Sequence, residues 1–176
     1  MSQQLEQVKE NAMRKIKLEK IILSCGATGP DLEKSKQLLE LLTERKAQIV
    51  HSGPKTRIPN FGVKPKMPLG TMVTLRGKDA TEILKRMLVA VDKKIRKKQV
   101  AQNSFSFGIQ EYIEIPGIEY RRDIGIRGLN VTASFIRAGV RVKRKKIKAS
   151  KLPQKQYVRP QEIIAYIKEH FGVEAI

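Results

Sequence analysis

The stretch TMVTLRG, residues 71–77, alternates strictly between two kinds of side chain. Val73 and Leu75 fall on one side of an extended chain, and Thr74 and Arg76 fall on the other. Such alternation is typical of a β-strand with one buried face. If Val73 and Leu75 face the core, Thr74 and Arg76 are presented outward on a rigid strand.

Two more strands and a helix are predicted before this stretch. Residues 15–24 alternate loosely and lead into the apolar run IILSCG, residues 21–26, which indicates a buried strand that stops at Gly26. A short strand is predicted at residues 47–51. Between them, Gly29-Pro30-Asp31 begins a helix, because proline is tolerated in a first turn. Its apolar side consists of Leu32, Leu38, Leu39, Leu41 and Leu42.

The chain after residue 77 continues the mixture of helices and strands. A helix follows at once, with Asp79 and Glu82 resembling a capping box and a core stripe of Ile83, Leu84, Met87, Leu88 and Val91. The segment SFSFGIQEYIEIPGIEY, residues 104–120, alternates as a strand through residue 115 and breaks at Pro116-Gly117. A further strand or pair of strands is predicted to run through residues 124–137, and a helix at residues 160–171 stops at Gly172.

These elements predict the fold class. The order of strands and helices lacks the regular spacing of β-α-β units, so we expect a single α+β domain over residues 1–176, with a largely antiparallel sheet backed by helices. The chain has 176 residues, of which 40% are hydrophobic, enough for one packed core.

The positive charge of the chain is concentrated in two windows without acidic residues. Residues 45–78 contain eight Lys or Arg and residues 124–161 contain eleven, and neither window has an Asp or Glu. These nineteen residues account for the whole net charge of +19. Such clustering indicates a polyanion partner, and nucleic acid is favoured over an anionic membrane, which is usually bound by a basic amphipathic helix with aromatic anchors.

Two basic segments stand out within the windows. Residues 53–70, GPKTRIPNFGVKPKMPLG, hold four prolines and three glycines and are predicted to form an irregular loop. Cations around an aromatic tip suit contacts with phosphates and bases, and the residues concerned are Lys55, Arg57, Phe61, Lys64 and Lys66. The family resemblance described below adds Thr56 and Asn60 to this loop. Residues 141–151, RVKRKKIKASK, have seven basic residues and are predicted to form a basic arm or extended hairpin that continues to residue 155.

The sequence contains no pattern expected of an enzyme. Glu111 and Glu114 would point to opposite sides of a strand and could not share a metal ion. His51 and His170 lack partners at metal or catalytic spacing, and Cys25 is expected to be a small core residue. We therefore expect no catalytic residues, no metal and no cofactor. Neither a signal peptide nor a membrane span is predicted, which favours the cytoplasm.

Several segments, in order, resemble one protein family: NAMRKIKLEKIILSCGATG, LLELLT, NFGVKPKMPLGTMVTLRG, SFSFGIQEYIEIPGIEY, IGIRGLNV and IRAGVRVKRKKI. This is the universal large-subunit ribosomal protein that binds 5S rRNA in the central protuberance, called L-five in bacteria and L-eleven in eukaryotes. The form SFGIQE and the arm RVKRKKIK are more similar to the archaeal and eukaryotic branch than to the bacterial one.

The resemblance implies a ribosomal role without a reaction. One face of the sheet and the N-terminal segment would bind 5S rRNA. The basic arm at residues 141–151 would meet large-subunit rRNA, tRNA or another protein, and its residues are assigned here to rRNA. The implied rRNA contacts are Met13, Arg14, Ser24, Arg45, Thr74, Arg76, Arg141, Lys143, Arg144 and Lys145. The loop at residues 53–70 would reach the P-site tRNA. Further implied partners are large-subunit rRNA, neighbouring proteins of the central protuberance and a small-subunit head protein across an intersubunit bridge.

Some positions depart from the family pattern. Ser24 stands where the family usually has Asn, Arg45 where it has Gln, and Ala12 where it has Pro. A shorter hydroxyl and a cation thus replace two amide contacts. Two alternatives stay open: a non-ribosomal RNA chaperone or assembly factor on the same fold, and a metal-dependent nuclease.

Overall fold

The computed structural model describes residue 11 and residues 13–175. Its main feature is a six-stranded antiparallel sheet in the order β2-β3-β1-β7-β6-β5. These strands are β1 (Ile16–Gly26), β2 (Gln48–His51), β3 (Pro68–Leu75), β5 (Val100–Ala101), β6 (Ser104–Ile109) and β7 (Leu129–Arg137). The short strands β4 (Lys94–Ile95) and β8 (Glu174–Ala175) pair in parallel as a separate ribbon. The fold is therefore α+β, as the sequence predicted.

Helices α1 (Asp31–Thr43), α2 (Lys78–Val89) and α4 (Pro160–Phe171) cover one face of this sheet, and the short helix α3 (Arg141–Arg144) follows β7. Helix α1 packs on β1 and β3, α2 packs on β1, and α4 packs on β5 and β6. Every second strand residue is buried against them: Ile21, Leu23 and Cys25 on β1, Val73 and Leu75 on β3, Phe105, Phe107 and Ile109 on β6, and Leu129, Val131, Ala133 and Phe135 on β7. Within the described residues, none of the helices has the length and apolar character required for a membrane span.

The opposite face of the sheet, here called the open face, carries half-buried and exposed side chains. Cross-strand pairing defines its members, since directly opposite residues in an antiparallel sheet share a face. They are Lys20, Ile22 and Ser24 of β1, Met72 and Thr74 of β3, Ser104, Ser106 and Gly108 of β6, and Asn130, Thr132 and Ser134 of β7.

The predicted order of elements is confirmed, and helix α4 spans the predicted residues. Gly172, with φ of 63°, caps its end in the left-handed region, where glycine is favoured. Gly70 is required for a different reason, because a Cβ there would lie 2.6 Å from the backbone oxygen of Cys25. Because Gly70 has no side chain, β3 can approach β1 closely where Gly70 pairs with Gly26.

Three local predictions are wrong. Strand β6 ends at Ile109, and residues 112–114 form a 3-10 turn, because Tyr112 turns inward and is fully buried. Only Leu129–Arg137 of residues 124–137 is a strand. Asp79 does not cap α2, whose first turn follows Gly77; its carboxylate instead pairs with the guanidinium of Arg45.

Candidate RNA-binding surface

The open face presents polar side chains in rows that cross the sheet, with three hydroxyl groups in the first row. Thr74, Ile22, Thr132 and Ser106 stand opposite one another on four successive strands. A second row holds Met72, Ser24, Asn130 and Gly108. A hydroxyl both donates and accepts hydrogen bonds. The face can therefore contact phosphates and 2′-hydroxyls without reading base sequence.

Ser24 and Thr74, two predicted contact residues, lie on this face. Ser24 stands opposite Met72, two residues from Thr74 on the same side of β3. Both side chains are half-buried, so their hydroxyls are held by the sheet yet reachable. Arg76 follows β3 directly and is exposed, so its long side chain can reach a phosphate beside the row.

Arg45, another predicted contact, is placed differently. It follows α1, and its guanidinium pairs with the carboxylate of Asp79 in the first turn of α2. Both side chains are about half exposed, at 54% and 51%. Among the described residues, no hydrogen bond or ion pair joins Arg45 to the open face. The pair therefore holds the guanidinium of Arg45 beside α2.

Met13 and Arg14 lie in a turn before β1. The backbone N–H of Arg14 donates to the carbonyl of Asn11 at 2.7 Å, and both side chains are exposed. Arg14 lines a surface cavity together with Lys155 and Arg159. The N-terminal segment thus places the guanidinium of Arg14 near the cations of Lys155 and Arg159, just before α4.

The basic arm begins with the short helix α3 and continues without regular structure as far as a 3-10 turn at Gln154–Gln156, so it does not form the hairpin that was one of the two predictions. Its predicted contacts Arg141, Lys143, Arg144 and Lys145 are all exposed. Arg144 pairs with Glu19 of β1, and the Lys143 ammonium lies 5.8 Å from the ring centre of Tyr157. These contacts hold the start of the arm at one end of the open face.

The loop at residues 53–70 is irregular apart from a 3-10 turn at Pro59–Phe61 and the start of β3 at Pro68. Ile58 and Val63 exchange two backbone hydrogen bonds of 3.1 Å, which close this turn and leave Phe61 81% exposed. Its other predicted contact residues are exposed as well: Lys55, Thr56, Arg57, Asn60, Lys64 and Lys66.

Buried Ser52 closes the base of the loop. Its hydroxyl donates to the carbonyl of Lys64 at 2.6 Å and accepts from the backbone N–H of Met67 at 2.9 Å. Its own backbone N–H donates to the carbonyl of Met67 at 2.8 Å. One side chain thus ties the two ends of the loop together.

Some of the basic residues support the fold. Arg127 pairs with Asp31 and donates to the carbonyl of Ile124 at 3.2 Å. Arg137, whose side chain is only 11% exposed, donates to Glu162 at 2.7 Å and to the carbonyl of Lys155 at 2.8 Å. These two arginines of the second window are therefore engaged inside the protein.

Glu162 connects Arg137 to the first turn of α4. Partial burial opposes ionisation of this carboxyl group, but the backbone N–H of Arg159 and the guanidinium of Arg137 outweigh that effect. The pKa of Glu162 therefore lies below its ordinary value of 4.5. The carboxylate of Glu162 thus links β7, through Arg137, to the start of α4.

Two findings concern possible catalytic or metal-binding groups: the environment of Cys25, and the positions of the His, Cys, Asp and Glu side chains. Cys25 is 4% exposed, and burial raises the pKa of its thiol from 9.0 to about 11, although the positive charge of Arg127 opposes the shift. Such a thiol is a poor nucleophile at neutral pH. Within the described part of the chain, no group of three or more His, Cys, Asp or Glu residues is placed to hold a metal ion.

The sequence prediction missed part of the open face and the residue that holds the arm. Asn130, Thr132 and Ser134 alternate with buried residues in LNVTASFIR, which is the signal that could have placed them outward. Glu19 gave no such signal, because a β-bulge between Leu18 and Lys20 turns it toward the open face.

About half of the chain matches a known protein family. Residues 68–154 match the model of the ribosomal L5P family C-terminus. The matched segment runs from the start of β3 to the last part of the basic arm and includes four of the six strands of the sheet.

Archaeal relatives extend the similarity to nearly the whole chain. The large ribosomal subunit protein uL5 of Nanoarchaeum equitans is 40% identical over 170 residues, which cover 95% of this chain and 99% of the relative. Those of Sulfurisphaera tokodaii and Methanosphaera stadtmanae are 38% and 37% identical, over 94% and 93% of this chain and 95% and 98% of each relative. The chain therefore belongs to the uL5 family of large ribosomal subunit proteins, in its archaeal form.

Proposed function

We propose that this protein anchors 5S rRNA in the central protuberance of the large ribosomal subunit through the open face of its sheet. Membership of the uL5 family makes it a structural ribosomal protein. The observation that carries the finer assignment is the hydroxyl row formed by Thr74, Thr132 and Ser106, on a rigid sheet in a chain with a net charge of +19.

The proposed mechanism combines electrostatic anchoring with shape recognition. A-form RNA displays phosphates and 2′-hydroxyls across a wide, shallow minor groove. Ser24 and Thr74 would contact these groups from the open face, and Arg76 and Arg14 would neutralise phosphates beside it. Since the strands fix the spacing of the hydroxyls, little ordering entropy is lost when RNA binds.

The loop at residues 53–70 is proposed to contact the P-site tRNA. Phe61 is 81% exposed at the tip of a closed turn, and the side chains of Lys55, Arg57, Lys64 and Lys66 are exposed around it. An exposed ring can stack on a base or ribose while cations contact phosphates. The basic arm is proposed to contact large-subunit rRNA through Arg141 and Lys145.

Two further partners complete the proposal. Neighbouring proteins of the central protuberance would lie beside the bound 5S rRNA, and a small-subunit head protein would meet a surface away from the open face. A single domain over residues 1–176 would serve all of these contacts. No step of the proposal requires a reaction, a metal or a cofactor.

The test is assembly of the protein with a 5S rRNA transcript, followed by size-exclusion chromatography with light scattering. A one-to-one complex that resists competition by an equal mass of tRNA supports the proposal. Equal exchange of the two RNAs would instead favour an RNA chaperone or assembly factor. Incubation of the same complex with Mg²⁺ or Mn²⁺ checks the nuclease alternative, because RNA cleavage would then appear.

A further inference from the structure

A cavity of about 320 Å³ lies where the basic arm meets the end of the open face. The sheet contributes Glu19 and Ser134 to its lining, and the arm contributes Lys143 and Arg144. The side chain of Tyr157 also lines it. The volume is at the small end of the range for ligand sites, about 300–1,000 Å³.

This cavity is continuous with the open face. Ser134 stands opposite Lys20 on one neighbouring strand and opposite Ser104 on the other. All three side chains share the face on which we place the RNA. A nucleotide that leaves the stack of a bound RNA at this end can therefore enter the cavity.

Glu19 supplies a carboxylate inside the cavity, and its side chain is only 9% exposed. One carboxylate oxygen forms an ion pair with the guanidinium of Arg144, and the other accepts a hydrogen bond from the hydroxyl of Ser134 at a long 3.5 Å. An ionised carboxylate has about four acceptor positions, so about two stay free for a ligand. Because burial of a carboxylate costs free energy unless its oxygens accept hydrogen bonds, a ligand at Glu19 is expected to present N–H donors.

Guanine is the base that matches such an acceptor. Its Watson–Crick edge presents two adjacent donors, N1–H and the 2-amino group, which one carboxylate can accept together. Adenine and uracil set an acceptor beside their donor on this edge, and cytosine offers a single amino group beside an acceptor. A carboxylate pocket thus discriminates against adenine, uracil and cytosine, because their acceptor atoms would face its negative charge.

The other walls suit the rest of a guanosine nucleotide. The half-buried ring of Tyr157 offers a surface for stacking, with the Lys143 ammonium 5.8 Å from its centre. Arg144 is 56% exposed, so its guanidinium can contact a phosphate while it pairs with Glu19.

We propose that this cavity binds one unstacked guanine of the RNA, with the Glu19 carboxylate on its Watson–Crick edge, the ring against Tyr157 and the flanking phosphates on Lys143 and Arg144. This assignment rests on the proposed RNA-binding function and adds a base-specific contact to it.

The test is fluorescence anisotropy of the full-length protein with labelled uridine octamers that carry guanine, inosine, adenine or cytosine at one central position, at ~50 mM salt. The wild type should bind the guanine oligomer about tenfold more tightly than the adenine oligomer, within the range expected of a bidentate base contact. Inosine lacks the 2-amino group and should fall between them.

Three variants separate base reading from a structural role. Glu19→Gln should reduce the guanine preference to about twofold or less without weakening overall binding, because it removes a negative charge. Arg144→Gln should weaken binding to all four oligomers alike and keep the preference. Glu33→Gln, the same change at an exposed residue in the first turn of α1, should behave as the wild type.

Two results would overturn the proposal. One is equal or absent binding of the four oligomers by the wild type, and the other is the same loss of preference in Glu19→Gln and Arg144→Gln, which would reduce Glu19 to an anchor for the arm. Failure of the proposed 5S rRNA function would show in a different measurement, as equal affinity of the wild type for 5S rRNA and tRNA.

Discussion

Thr74 of β3 and Thr132 of β7 lie on either side of Ile22 of β1, each directly opposite it. Two strand spacings separate them, about 9–10 Å. The central strand fixes this distance, and the helices on the other face support it. The open face is thus a rigid array of hydroxyls, and its function depends on their fixed spacing.

Thr132→Ala should weaken binding of 5S rRNA about three- to tenfold, because one hydrogen bond contributes about 0.5–1.5 kcal/mol. The melting temperature should change little, since the side chain is only half-buried on the open face. Filter binding and thermal unfolding measure the two effects. Thr81→Ala on α2 is the matched control, and an equal loss of RNA affinity there would contradict a role specific to the open face.

Ser52→Ala should loosen the loop at residues 53–70 without affecting the sheet. The change removes the hydroxyl bonds to the carbonyl of Lys64 and the N–H of Met67. Hydrogen exchange at Met67 should quicken, and trypsin should cut faster at Lys55 and Arg57. If the loop contacts tRNA and the open face contacts 5S rRNA, affinity for 5S rRNA should stay within about twofold. A matching loss of 5S rRNA binding would contradict that division.

Glu162 should make the stability of the fold sensitive to acid. Its pKa is lower in the folded protein than its ordinary value of 4.5. The ionised form is therefore the one that stabilises the fold, and its contribution is present above that value and is lost as the pH falls through the folded pKa. Melting temperatures of the wild type and Glu162→Gln should differ most near neutral pH and converge in acid. A difference that grows in acid would contradict this linkage.

The thiol of Cys25 should be unreactive in the folded protein. Burial raises its pKa from 9.0 to about 11, so the fold favours the protonated thiol. That contribution to stability is present below about pH 9 and is lost as the pH rises toward about 11. A thiol reagent at about pH 8 should modify the protein only after denaturant is added. Rapid modification without denaturant would show that the end of β1 opens readily.

Local sequence patterns predicted most of the fold, because alternation and helical periodicity report directly which side chains are buried. The faces of β3, the stripe of α1 and the bounds of α4 follow from such patterns. The failures came from tertiary contacts. Tyr112 ends β6 early because its ring enters the core, where the backbone N–H of Arg121 donates to its hydroxyl at 2.9 Å.

The candidate surface was predictable only in part for the same reason. Charge windows and the β3 pattern placed Thr74 and Arg76 correctly on the outside, but sequence alone cannot show which strands lie next to each other. The row from Thr74 to Ser106 and the bulge at Glu19 depend on pairing between distant segments. The engagement of Arg127 and Arg137 inside the fold likewise depends on helices far along the chain.

A salt titration of binding to 5S rRNA and to a tRNA of similar size distinguishes a specific 5S rRNA site on the open face from general attraction to RNA. The proteins are the wild type, Thr74→Ala/Arg76→Ala, and a variant with residues 53–68 shortened. The wild type should prefer 5S rRNA about tenfold at ~0.2 M salt, and about six phosphate contacts would give a slope of log K against log salt near −4 to −5. The double variant should lose the preference, and the shortened loop should keep it. Equal binding of both RNAs by all three proteins would contradict 5S rRNA recognition by the open face, which would then be a generic polyanion surface.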